Sequence, residues 1–362
     1  MSILGLFRGF SGMVSRHPLH FGFAALLVLL TSVSTISYFV VEEASSGFAT
    51  YRQLARDTNL TGRLQANMLM VRMNVKDFII TGGYKDLQEY ADYYRRMTVF
   101  LEEAQQEISD PQRSAQVDTV DQHLTEYVEA FDKVVDYRQR RNDAVFKVLD
   151  VRGPYMEANL TAVMTAAERS RNAAEAFNAG LALKHLLLAR LYVAKFLVNN
   201  DQRSVDRVHM EFAAFRQRLE ILDRDQTDEL RGDTLKTIKV AFADYASTFD
   251  ELEAIIFERN ELIRGTLDEL GPEIANHVEA LKLDIKAEQD TIGPRLQTRN
   301  SISVYAILSV GAIAILVGIS LTVVMTRTFT KMTATIEAAR MAAVSSAQTK
   351  SDFLANMSHE IR

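Results

Sequence analysis

The sequence predicts an all-α protein. Two transmembrane helices flank a six-helix periplasmic domain of two stacked four-helix bundles, and a cytoplasmic signalling helix follows. Three observations carry this. The 362 residues include only five Pro and 16 Gly, amid abundant Ala, Leu, Glu, Gln and Arg, a composition that favours helix. Two stretches, Leu19–Val41 and Ile302–Thr326, are long, apolar and free of Asp, Glu, Lys and Arg. The region between them repeats itself without gaps at an offset of 118 residues.

The bulk numbers exclude several classes. A net charge of -6 gives no electrostatic footprint for nucleic acid. The absence of Cys removes disulfides, Cys-based zinc sites and Cys nucleophiles. It does not fix a compartment, because large helical bundles need no disulfides.

Residues 1–18 are expected to be a cytoplasmic N-terminus. Transmembrane helix 1 covers 19–41, and transmembrane helix 2 covers 302–326. Each is long enough for a hydrocarbon core of roughly 30 Å at about 1.5 Å per residue. A cleaved signal peptide is the other reading of the first stretch. Its apolar run exceeds the usual core of about 7–15 residues, and Glu42-Glu43 is a poor cleavage context, so an uncleaved anchor is expected. Arg8 and Arg16 precede helix 1, and Glu42 and Glu43 follow it. Arg327, Lys331 and Arg340 follow helix 2, against Arg295 and Arg299 before it. The Lys/Arg rule then puts both termini in the cytoplasm of a bacterial inner-membrane protein and 42–301 in the periplasm.

Residues 42–301 read as helix nearly throughout. The expected breaks are Thr81-Gly82-Gly83, the cap-plus-Pro start Asp110-Pro111, Asn199-Asn200-Asp201, and Thr227-Asp228 to Gly232-Asp233. No alternating run suggests a sheet. In the repeat, 51–160 matches 169–278. Arg72 meets Arg190, Phe78 meets Phe196, Tyr127 meets Tyr245, and Phe131-Asp132 meets Phe249-Asp250. Arg141-Asn142 meets Arg259-Asn260, and Gly153-Pro154 meets Gly271-Pro272. Two copies of a helical unit is the simplest account.

Helix lengths suggest how the copies close. A first helix from Glu43 to Thr81 would rise roughly 57 Å, and a second from Tyr84 to Ser109 would descend about 39 Å. The chain returns to Ser301 if the third helix runs from Pro111 past Gly153-Pro154 and turns near Glu168–Asn172. A fourth helix then ends at Asn199 and a fifth at Asp225. Pro inside a long helix kinks or breaks it, so both Gly-Pro doublets mark either kinks or helix ends.

Arg72 lies on one helix face with Met68, Val75 and Ile79, and Arg190 with Leu186, Val193 and Leu197. A guanidinium in an apolar stripe needs an anion and is shaped to hold a carboxylate. Two readings stay open: a carboxylate pocket in each bundle, or internal pairs to Asp132 and Asp250. Tyr93, Tyr94, Arg95 and Arg96 either complete a pocket or form a solvated face. His123, His185, His209 and His277 show no metal-ligand spacing, so no metal is expected.

In the second span, Gly311, Ala314 and Gly318 share a face suited to close helix approach. Residues 327–350 follow as an Ala-rich helix with Met332, Ile336, Ala339 and Ala343 in a weak stripe. It reads either as a short, bistable coiled coil or as a passive linker. It is too short for a HAMP relay.

Residues 351–362 contain Phe353-Leu354-Ala355-Asn356-Met357-Ser358-His359-Glu360-Ile361-Arg362. This run resembles the phospho-acceptor box of class I sensor histidine kinases, especially hybrid ones. The resemblance implies that 351–362 begins a dimerisation and histidine phosphotransfer domain. His359 would be the phospho-acceptor, with Glu360 as general base or orienting group. Phe353, Met357 and Ile361 recur every fourth residue as a core stripe that leaves His359 free. Imidazole is a competent nucleophile at neutral pH. The family pattern continues beyond Arg362, so an ATP-binding domain is expected after it. ATP and Mg belong to the full-length protein, and no cofactor is expected for residues 1–362 alone. Residues 42–301 resemble, by length, topology and duplication, the helical bimodular sensor domain of histidine kinases and chemoreceptors. That implies a small organic acid as ligand, or a periplasmic binding protein as input. A homodimer and a downstream response regulator are the other implied partners. A chemoreceptor is the alternative reading; it would carry HAMP helices in place of this box.

Overall fold

A computed structural model describes the backbone of residues 18–224 and 229–360, and their side chains apart from 18–21, 229, 355 and 357–360. The described residues are helical and contain no strand. In chain order they are α1 (Pro18–Thr81), α2 (Tyr84–Glu107), α3 (Pro111–Asp143), a π segment (Ala144–Leu149) and α4 (Asp150–Arg169). Then come α5 (Ala173–Asn199), α6 (Gln202–Arg224), α7 (Glu229–Leu262), a second π segment (Ile263–Leu267) and α8 (Asp268–Glu360). The chain divides into two compact units, residues 57–285 and the remainder.

In the unit of residues 57–285, each turn has a local cause. Gly82 adopts φ 66°, a conformation that costs a side chain but not glycine. The space its Cβ would take holds the Arg138 guanidinium. Asp110 caps α3, accepting from the backbone N–H of Gln112 and Arg113, both at 3.0 Å, with Pro111 at the first helical position. Arg171 and Asn200 take φ 56° and 54° in the turns after α4 and α5. Asn172 caps α5, and Asp201 caps α6 by accepting from Ser204 N–H at 2.9 Å. One expected break moves. Residues 225–228 lie outside the described residues, but α7 already runs from Glu229, so Gly232-Asp233 is helix. Arg231 in its first turn is tied to Glu175 at 2.8 Å.

The helices pack as two four-helix bundles. The first takes residues 57–81 of α1, α2, α3 and residues 268–285 of α8. Its contacts include Arg63 over Phe100, Tyr90 on Phe131, and Arg113 to Asp284 at 2.8 Å. The second takes α4 to α7 around Leu160, Leu186, Phe215 and Phe249. The repeat is visible in the cores. Phe78 meets Phe131 edge-on at 5.6 Å, and their counterparts Phe196 and Phe249 meet edge-on at 5.7 Å. Burying each such ring contributes about 1.5–3 kcal/mol.

Helix continues through both Gly-Pro doublets. Pro154 lies inside α4, and the residues around Pro272 belong to α8. The strain is taken up just upstream, where the helix widens into π geometry. Asp150 N–H bonds to Val145 O, and Asp268 N–H to Ile263 O, each one residue further back than in an α-helix. The widened turns end at Leu149 and Leu267, five residues before each Pro. Proline has no N–H for the carbonyl four residues back, that of Asp150 or Asp268, the first residue after each widened turn. The same turns absorb a change of phase. Arg141, Val145, Leu149 and Gly153 follow one another at four-residue steps, where a regular seam alternates three and four.

In the other unit, the two apolar stretches lie side by side and antiparallel. Both belong to helices apolar enough to cross a membrane. A Cβ on Gly22 would meet Met325, and one on Gly47 would meet Leu296. Glu43 pairs with Arg299 at 2.7 Å. Gly311 and Gly318 have open space where a side chain would go, and with Ala314 they lie on the less exposed face of the second span, the face of Met325. Helix α8 continues without a break through 327–350, and Met332 and Ile336 on it are exposed.

Candidate functional site

The two arginines singled out in the sequence occupy equivalent places. Arg72 of α1 lies over Gly271, and Arg190 of α5 lies over Gly153. A Cβ on Gly271 would sit 3.0 Å from Arg72 Nε, and one on Gly153 2.9 Å from Arg190 Nε. Each Gly-Pro doublet thus has a second use: a helix surface without a side chain, across which a guanidinium can lie. Each arginine also sits by the buried tyrosine of its bundle, Tyr127 or Tyr245. Burial pushes the Tyr245 phenol up to about 12, against the opposing pull of Arg190. Burial raises Tyr127 as well, again opposed by the arginine, here Arg72.

The expected internal pairs to Asp132 and Asp250 are not made. Phe131 and Phe249 point into the cores, so the next residue along the helix turns about 100° away. Both carboxylates are exposed. Desolvation raises Asp132, and Asp250 lies 4.0 Å from His209. Arg190 instead donates to Glu157 at 2.6 Å. The position equivalent to Glu157 is Ala275, and Arg72 makes no hydrogen bond or ion pair with any described residue. The nearby Asp268 lies 3.8 Å from Lys76. The duplicated geometry is therefore asymmetric in charge: one guanidinium is neutralised and the other is free.

Two orphaned polar atoms lie in the bundle of Arg72. The Tyr90 hydroxyl and His123 Nδ1 are buried without a partner. Tyr90 stacks on Tyr94 at 5.9 Å and lies close enough to Tyr127 to share its field. His123, one turn before Tyr127 on α3, stacks on His277 at 5.7 Å. The fold brings these two histidines together from positions that showed no motif. Arg95 and Arg96 do not join them. Both are exposed, Arg95 beside Asp92 at 3.3 Å and Arg96 over the Tyr93 ring. His185 and His209 meet Glu211 at 2.6 Å and Glu253 at 3.0 Å. Among the described residues, no group of three or more His, Asp or Glu could hold a metal ion.

At the other end of the chain, α8 carries the acceptor-box backbone as helix through Glu360. Phe353 and Leu354 are exposed. The side chains of Met357, His359 and Glu360, and all of Ile361, lie outside the described residues.

No family model matches the chain, and no curated protein matches it. Among solved structures it is similar to the sensor domain of the V. parahaemolyticus histidine kinase sensor TorS. The identity is 18%, the match covers 66% of this chain and 99% of that one, and the TM-score is 0.36.

Proposed function

We propose that the chain is the sensory and transmembrane part of a two-component sensor histidine kinase, with residues 42–301 in the periplasm and both termini in the cytoplasm. The observation that carries this is the contiguous sequence run Phe353–Arg362, whose residues as far as Glu360 lie on the helix that includes the second apolar stretch. In the chemistry proposed, His359 attacks the γ-phosphate of ATP, an N–P bond forms, the bond to the β-phosphate oxygen breaks, and ADP leaves. Glu360 takes or orients the imidazole proton. The ATP is held by a catalytic domain outside these residues, in a homodimer that passes the phosphoryl group to a response regulator. The test is His359→Gln in a protein carrying that catalytic domain. Autophosphorylation from labelled ATP is expected to vanish; label retained at wild-type level refutes the assignment.

For the input, the uncompensated Arg72, lying over Gly271 beside Tyr127, favours a small organic acid bound in the first bundle, its carboxylate held by the guanidinium. Calorimetry on the full chain in detergent, with a panel of small organic acids, tests this. Binding lost in Arg72→Ala and kept in Arg190→Ala is expected. Equal loss in both variants, or no binding by any acid, overturns it; in the latter case the binding-protein input is tested by pull-down from periplasmic extract.

A further inference from the structure

A second cluster of cations lies where the two bundles meet. The core seam of α3 runs through Leu124, Tyr127, Phe131 and Val134, all buried. The next two seam positions are Arg138 and Arg141, and Val145 then resumes it. On α7 the seam runs through Tyr245, Phe249, Leu252 and Ile256, and its next position is Arg259. Three arginines thus occupy places that a bundle fills with apolar side chains. None of the three is fully exposed.

Helices α3 and α7 pack here. Tyr137 donates to Glu258 at 2.6 Å, and Arg140 donates to Glu251 at 2.7 Å. These contacts bring the three guanidiniums within electrostatic reach of one another. Burial, and then the neighbouring arginines, hold Arg141 and Arg259 below the usual guanidinium range. The carboxylates of the crossing are engaged elsewhere: Glu251 and Glu258 as above, and Asp143 by Lys147 at 2.9 Å. No described carboxylate pairs with Arg138, Arg141 or Arg259. Their hydrogen bonds go to neutral oxygens. Arg141 donates to Asn142 Oδ1 at 2.9 Å, and Arg259 to Asn260 Oδ1 at 3.2 and 2.8 Å. Arg138 donates to the backbone oxygens of Ile79 and Thr81 at the end of α1, both at 3.1 Å. Arg141 and Arg259 are repeat-equivalent, so the same charge is placed at the crossing from both sides.

We propose that Arg138, Arg141 and Arg259 form a site for a tetrahedral dianionic oxyanion, of the phosphate or sulfate class, between the two bundles. Three like charges on a core seam require a counter-charge, and a tetrahedral oxyanion can accept from three guanidinium forks at once. This site shares no residue with the Arg72 pocket, and either can fail without the other.

The test uses the full chain in detergent. Thermal unfolding is followed as phosphate, and in a parallel arm sulfate, replaces chloride at constant ionic strength. Saturating anion is expected to raise Tm by about 5 °C. Arg141→Gln and Arg259→Gln are expected to abolish the shift, whereas the exposed-site variant Arg96→Gln keeps it. Phosphate and sulfate also stabilise proteins non-specifically, and that effect would persist in the glutamine variants; persistence overturns the proposal. If a glutamine variant does not fold, Arg141→Lys retains the charge without the fork and should weaken binding about tenfold. Line broadening of the phosphate ³¹P signal by the wild-type chain is an independent readout, and its absence also overturns the proposal.

Discussion

Arg190 donates to Glu157 at 2.6 Å, while the same two positions of the other bundle are Arg72 and Ala275. One substitution in each direction should therefore exchange the properties of the two bundles. Ala275→Glu is expected to supply Arg72 with an internal partner and to weaken organic-acid binding at least tenfold, read by calorimetry. Glu157→Ala should free Arg190 and add a second, weaker site. Its effect on stability should stay within about 1 kcal/mol, because both partners of the pair are partly exposed and solvent screens them.

The two Gly-Pro glycines should differ in cost. Alanine gains roughly 0.5–1 kcal/mol over glycine inside a helix. At Gly153 the atoms nearest the new methyl all belong to Arg190, a side chain that can move aside, so Gly153→Ala should be near neutral. At Gly271 it also meets the Tyr127 ring at 3.1 Å, and that ring is fixed in the core. Gly271→Ala should lose about 1 kcal/mol net and impair acid binding, read by denaturant unfolding and calorimetry.

Asp132 gives a pH dependence. Desolvation raises its carboxyl above 3.8 in the folded chain. The folded state therefore binds more protons than the unfolded state between the two values, and stability falls as pH rises through that window. Asp132→Asn should flatten this part of the stability profile and raise Tm at neutral pH. A variant with an unchanged profile would show that the side chain is as well hydrated folded as unfolded.

The α3 cap is a plain stability test. Asp110→Ala removes the acceptor for two backbone N–H groups and should cost about 1 kcal/mol, measured as a lower unfolding midpoint with unchanged helicity.

Much of the fold was legible in the sequence because helices are local. The turn glycines, the Asp110-Pro111 start and the repeat register each report on neighbouring residues or on equivalent ones. The long third helix was also inferable from the need to return to the second span. The π segments were not, since nothing in Ala144–Leu149 names them; only the four-residue steps of the seam, read beside Pro154, contain the signal. The arginines were found by their stripes, but their partners were not. Pairing Arg190 with Glu157 depends on how α4 and α5 rotate against each other, which the pattern along either helix leaves open. His123 and His277 lie on α3 and α8, far apart in the chain, and only the assembled bundle brings them together.

The widened turns also say how this protein can change by insertion and deletion. A residue removed from Ala144–Leu149 or Ile263–Leu267 would leave a regular helix, so local structure would survive the loss of one codon. The register would survive as well. The widened turn already takes up one residue more than a regular helix, so its loss would restore the alternation of three- and four-residue steps and leave the side chains beyond it on the faces they now occupy. A one-residue deletion in the regular turns on either side would instead swing everything beyond it by about 100°. At these two places, unlike their flanks, the chain can change length and keep both bundles.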